Sequence, residues 1–219
     1  MAQRNNEKRN QILSVAYEYF SRMPYAQVSL ANIAEGAEIN KSLLQHYYAR
    51  KNDIIKALLD ELLAFSSAFM NELPYDYSDM FLKISDFNML FFKAAAKSQK
   101  LDQFITASVS QPELLALWDD SICGWLRGLC GEDTFTYLQL RTAISFSMAG
   151  SMHLYQHRDE LGIDYRFICR NHIHSIMSLL QFEHADIAAI CDQTDARLPD
   201  LPVDSYLKYC EDHISWFTR

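Results

Sequence analysis

Apolar side chains return every third or fourth position through most of this chain, the period of a helix buried on one face. From Asn10 they fall at Ile12, Leu13, Val15, Ala16, Tyr19 and Phe20, and Pro24 within Met23-Pro24-Tyr25 ends that run in a short loop. Ser29 then precedes Leu30, Ile33 and Ala34. A Ser in this place is an N-cap signal, its oxygen taking a free backbone N–H. Asn32 stands where Glu would complete a capping box, so the box is expected to be partial. Gly36 closes this second helix within two turns, and Asn40 caps a third that contains Lys41 to Tyr48. At about 100° per residue, Asn40, Leu43, Leu44, Tyr47 and Tyr48 gather on one side. Lys41, Ser42, Gln45 and His46 gather on the other.

Asn52 opens a longer run: Ile54, Ile55, Leu58, Leu59, Leu62, Leu63, Phe65 and Phe69, closing near Pro74. This predicts a rod of roughly 30 Å that connects the first three helices to the rest. Helical patterns follow at 77–98, 100–108, 112–130, 133–158 and 164–182, with Pro112, Gly131 and Gly162 at the breaks between the later ones. Residues 183–219 hold one or two short helices around the Leu198–Pro202 loop. Six Gly and five Pro, with no Pro from 113 to 198, leave few places to turn a strand. The expected fold is all-α: an N-terminal three-helix domain at 6–66, with a helix-turn-helix at about 29–48, and a larger helical domain at 67–219.

Charge changes the picture only when the chain is divided. The formal net charge is −8, but residues 1–51 carry seven Lys or Arg against four acids, a balance of +3, and the remainder carries 13 against 24, a balance of −11. A basic head on an acidic body suits a protein that meets a polyanion with one end. The five Cys are odd in number and form no CxxC, as expected of free thiols in a reducing cytoplasm. No apolar run approaches the roughly 20 residues of a membrane span, so no membrane partner is expected. The opening MAQRNNEKRN lacks the apolar segment of a secretory signal.

Two short helices joined by a four-residue turn form the unit whose second helix enters the DNA major groove. The outer face of the third helix has the chemistry for it. Lys reaches phosphate or guanine, Gln pairs with adenine, and Ser and His add adaptable hydrogen bonds. A solvated polar face would look the same in isolation. The stretch from Ser29 through Leu58 also resembles the DNA-binding segment of TetR-family regulators. Ser29, Ile33-Ala34, Leu44, Tyr47, Tyr48, Lys51, Asp53 and Ile54 fit its pattern in order, as do Ile12, Ala16, Phe20 and Pro24-Tyr25 upstream. The resemblance implies that Lys41, Ser42, Gln45 and His46 face base edges or nearby phosphates, and that Tyr47 and Lys51 grip phosphates. Ser29 would place a helix N-terminus against the backbone. Three residues depart from the family pattern: Glu38 stands where the turn usually has Gly, Leu43 replaces a small polar residue, and Gln45 replaces Tyr.

For the body, the resemblance implies a cavity between the middle helices that takes a small apolar or amphipathic effector. Phe91, Trp118, Trp125, Phe146 and Met148 are the candidate lining residues, although aromatic and Met side chains also fill any helical core. It also implies a homodimer on a palindromic operator, with repression relieved by the effector. Leu140, Ile144, Ser147, Met148 and Ser151, with Ile168, Ile173, Ser175, Ile176 and Leu180, alternate bulky with small residues as close helix packing requires. That pattern suits a two-fold four-helix bundle or packing within one chain.

His153 and His157, with Cys169, His172 and His174 beyond, raise the alternative of a metal- or thiol-based sensor. HxxxH alone lacks the further ligands a zinc site needs, so neither a metal nor a cofactor is expected. An all-α enzyme fits less well: there is no GxSxG, no Walker loop, no GxGxxG and no HExxH.

Overall fold

The computed structural model describes residues 2–130 and 134–218. Among them are twelve α-helices, two 3-10 turns and no strand. Helices α1 (Ala2–Phe20), α2 (Leu30–Gly36) and α3 (Lys41–Tyr47) form the head, and α4 (Lys51–Glu72) leads out of it. The body holds α5 (Met80–Lys97), α6 (Gln99–Ser108), α7 (Pro112–Cys130), α8 (Tyr137–Gln156), α9 (Arg158–Leu161), α10 (Tyr165–Leu179), α11 (His184–Arg197) and α12 (Val203–His213). The expected break at Gly131 and helix start at 133 lie outside the described residues.

Local chemistry sets the boundaries. Helix α5 starts at Met80 and not at 77, because the Asp79 carboxylate accepts from the Phe81 and Leu82 amides at 2.7 and 3.3 Å. The single helix expected over 133–158 divides at His157, and the short α9 ends on Gly162, whose φ of 63° suits a residue without Cβ. The capping box of α2 is complete, contrary to the partial one expected. The Ser29 hydroxyl accepts from Asn32 N at 3.1 Å, and the Asn32 amide oxygen accepts from Ser29 N at 3.0 Å. A side-chain amide supplies the same acceptor as a carboxylate.

The head core is built from Ile12, Leu13, Ala16 and Phe20 of α1, Ile33 and Ala34 of α2, Leu44 and Tyr48 at α3, and Ile54, Ile55 and Leu58 of α4, all buried. Gly36 lies against α1: a Cβ there would sit 2.7 Å from Val15 Cγ1. Beyond the head, α4 packs on α7 and α12, while α5 runs through the middle of the body against α10, α11 and α6.

The C-terminal residues tie the two regions together, a feature absent from the sequence reading. Trp216 and Phe217 are buried and pack on Tyr17 of α1 with ring centroids 5.0 and 5.8 Å away. The Trp216 indole donates to Glu61 of α4 at 2.5 Å. Nearby, Lys100 of α6 pairs with Glu18 of α1 at 2.5 Å and donates to the Thr218 hydroxyl at 2.8 Å.

Candidate nucleic-acid interface and an internal cavity

The helix-turn-helix is held by its caps and by one strained residue. Asn40 Oδ1 accepts from Leu43 N at 2.8 Å and starts α3. In the turn, Glu38 adopts φ of 52° while the Ile39 amide donates to Ala34 O at 3.0 Å. This left-handed conformation costs a residue with a Cβ about 1–2 kcal/mol, which is why Gly suits the position.

From this platform α3 turns only Leu44 fully inward. Lys41, Ser42, Gln45 and His46 are exposed on the outer face, and Tyr47 is half-buried at its edge with its ring 5.9 Å from that of His46. Leu43 corrects the helical-wheel placement: it is 38% exposed and lies with the polar face. Ser29 is exposed, at the start of α2.

Lys51 behaves differently from the expected phosphate grip. Its ammonium donates to Tyr25 O and Val28 O, each at 2.6 Å, and lies 3.7 Å from the Tyr25 ring centroid. Burial lowers its pKa from the usual lysine value. Two of its three N–H groups are thus spent on the loop that leads into α2, and Lys51 acts as a positioning residue there.

In the body, six helices enclose a small apolar cavity of about 20 Å³, space for one water-sized occupant. Leu63 comes from α4, Phe87, Asn88, Phe91 and Phe92 from α5, and Ile105 from α6. Trp118 and Ile122 of α7, Met148 and Met152 of α8 and His172 of α10 complete the wall. His172 is 4% exposed and hydrogen-bonds Ser151 Oγ through Nδ1 at 2.9 Å. Burial pushes its pKa down to about 4, opposed by a hydrogen bond to the Ser147 backbone. The Asn88 amide nitrogen is buried without a hydrogen-bond partner, an omission worth about 1–3 kcal/mol. A second recess, an open cleft of about 550 Å³, lies between the loop after α1 and the body and carries Arg22, Asp102, Arg158 and Asp159.

Of the five expected lining residues, Phe91, Trp118 and Met148 line the closed cavity. Trp125 stands behind its wall, tilted on Phe87 at 4.9 Å with its indole donating to Ser67 of α4 at 2.9 Å. Phe146 is a correction: it is 67% exposed and faces away from the cavity. Met148 lies two residues further along α8, about 200° around the helix, so the two side chains cannot share one wall.

Residues 12–58 match the family model described as bacterial regulatory proteins, tetR family. The match coincides with the α1–α4 head just described. The head is therefore of the type found in bacterial regulatory proteins of the tetR family. Three solved structures are similar to this chain. A fatty acid degradation regulator, FadR from Bacillus halodurans, is 18% identical over 79% of this chain and 98% of its own, with a TM-score of 0.48. A gamma-butyrolactone receptor, an ArpA-like protein, is 15% identical over 90% and 98%, with a TM-score of 0.46. Full-length tylp, a TetR regulator from Streptomyces fradiae, is 14% identical over 87% and 99%, with a TM-score of 0.42. No curated protein matches by sequence. The likeness to the tetR family rests on the match at 12–58, within the head.

The remaining candidates lie mostly in the body. The His153 and His157 rings are 4.6 Å apart, and among the described residues no group of three His, Cys, Asp or Glu side chains could hold a metal. Cys123, Cys169, Cys191 and Cys210 are buried free thiols. Among the described residues no helix is long and apolar enough to cross a membrane. Ile144 and Ile176, expected to alternate with small residues along an interface, are 0% and 1% exposed and pack between α8 and α10 inside the chain. Among the described residues, the large hydrophobic side chains these two helices leave outside are Tyr137, Leu138, Phe146, Phe167 and Leu179.

Proposed function

We propose that this chain is a cytoplasmic repressor that binds a palindromic operator as a homodimer and is released by a small apolar or amphipathic effector. The DNA-binding domain is 6–66 and the ligand-binding and dimerisation domain is 67–219. The observation that carries the reading is the outer face of α3: Lys41, Ser42, Gln45 and His46 are exposed together behind a helix start fixed by Asn40. Gln45 and Lys41 reach base edges, while Ser29 and Tyr47 flank them toward phosphates. The homodimer is supported by the exposed apolar residues of α8 and α10, with Leu138 at 73% and Phe146 at 67% exposed. Gly150 and Ala149, exposed on the same α8, allow a second helix to approach closely. Effector control is supported by the closed cavity, because Leu63 in its wall belongs to the helix that leaves the head. A ligand must push these helices apart to fit, and α4 carries that displacement to α3.

Selection of bound fragments from random double-stranded DNA tests the reading. It should enrich an inverted repeat with half-site centres about 34–36 Å apart. Affinity should fall steeply with salt as counterions return to phosphate. Enrichment of no inverted repeat, or salt-insensitive binding, overturns it.

A further inference from the structure

The wall of the closed cavity narrows the chemistry of its occupant. Among the described residues, Asn88, His172 and the Trp118 indole N–H are the polar groups in its wall, and no ionised side chain lines it. A carboxylate or an ammonium taken into such a space loses its hydration and meets no opposite charge. His172 offers none near neutral pH, since burial holds it uncharged, with its pKa down to about 4. The Asn88 amide nitrogen, by contrast, is buried with N–H groups and no acceptor. The ionic alternative exists elsewhere in the molecule, in the open cleft beside Arg22, Asp102 and Arg158, which makes the apolar character of the closed cavity specific to it. Its present volume of about 20 Å³ means an occupant must displace part of the wall. Trp118 is held by its indole N–H, which donates to Ser108 Oγ at 3.0 Å. Met148 and Met152 of α8 have no such tether, and their unbranched chains yield most readily.

Building on the effector reading above, we propose that the ligand of this cavity is an uncharged, mostly apolar molecule with one hydrogen-bond acceptor, a ketone, ester or amide carbonyl, bound to the Asn88 N–H. It enters by displacing the Met148 and Met152 side chains.

The test is calorimetric titration of the full-length protein and of Asn88→Leu with methyl octanoate, octanoate and octyltrimethylammonium, and with shorter and longer members of each series. The neutral ester should bind best, with both ions at least about tenfold weaker. Asn88→Leu should weaken the ester about tenfold, the size of one lost hydrogen bond. The same substitution should leave the melting temperature of the free protein unchanged or raised, because it removes an unpartnered buried donor without opening a cavity. That result separates a ligand contact from a structural role. An ion binding as tightly as the ester overturns the proposal, as does an ester indifferent to Asn88→Leu or no binding by any neutral member. Operator affinity measured in parallel keeps the two readings apart. A charged compound that binds and releases DNA removes this ligand class and leaves effector control standing. An ester that binds while operator affinity stays unchanged does the reverse.

Discussion

The head and the body use the same material, amphipathic helices, to opposite ends. The head packs two seven-residue helices with the longer α1, burying one face of each and leaving the other outside. Helix α3 is seven residues long, held by Asn40 at its start and by Leu44 and Tyr48 against the core. The body instead turns its aromatic and Met side chains inward around a nearly closed space, with an unsatisfied Asn88 at its wall. A reading surface needs preorganised side chains, so its residues carry no slack. On the proposed function the cavity must open when occupied, and the unpartnered Asn88 amide nitrogen in its wall suits that role. The two are joined through α4 and through the Trp216–Tyr17 contact at the C-terminus.

The sharpest way to break this comparison is to place the same charge on the two faces of α8. Ile144→Lys puts an ammonium where the side chain is 0% exposed and should unfold the body at a cost of several kcal/mol. Phe146→Lys, at a position 67% exposed, should leave a folded chain that sediments as a monomer, whereas the proposed function has the wild type sediment as a dimer. A folded Ile144→Lys, or a Phe146→Lys that still dimerises, would reverse the assignment of the faces.

Next in size is the neighbouring pair in α3. Leu44→Ala should destabilise the head by about 2–5 kcal/mol, measured by chemical unfolding, because it opens a cavity in the head core. Gln45→Ala should change stability by less than about 0.5 kcal/mol yet relax preference at one operator base pair, costing about 1–3 kcal/mol of discrimination. If Gln45→Ala weakens all DNA equally, its side chain contacts backbone and not a base.

His172 gives the body a pH dependence on the acid side of neutrality. Its folded pKa of about 4 lies below the ordinary histidine value of about 6.5, so the unfolded chain takes the proton first as pH falls. This contribution to stability is intact above about pH 6.5 and is lost as pH drops through that value toward 4, on the order of 3 kcal/mol in all. Urea unfolding at neutral and mildly acid pH should show a smaller acid loss for His172→Gln than for wild type. Equal losses would mean that His172 protonates freely in the folded state.

The smallest expected effect is a gain. Glu38→Gly relieves the left-handed φ of 52° in the turn and should stabilise the head by about 0.5–1 kcal/mol, net of the extra freedom of the unfolded chain. A destabilised Glu38→Gly head would mean that the Glu38 side chain supports the turn in a way its backbone does not reveal.

The head was largely legible in the sequence because its signals are local: Ser29 and Asn40 at helix starts, the turn between, and apolar triplets at Leu30, Ile33 and Ala34. It misled where the helix is too short for a wheel to be accurate, as at Leu43. It also misled at Lys51, whose long side chain folds back on its own loop carbonyls. The body was legible as helices but not as surfaces. Helix α8 carries apolar residues on two faces, one packed on α10 and one outside, so periodicity alone could not separate Ile144 from Phe146. The closed cavity and the Trp216 contact join residues far apart in the chain, and no local pattern announces either.

The central claim is that the cavity and the reading face are coupled. Fluorescence anisotropy of a labelled operator, titrated with the regulator with and without a saturating cavity ligand, tests it most directly. Ligand should weaken operator binding by about 5–150-fold, and operator should weaken ligand binding by the same factor. Identical operator affinity in the presence of a ligand shown to occupy the cavity would contradict the account.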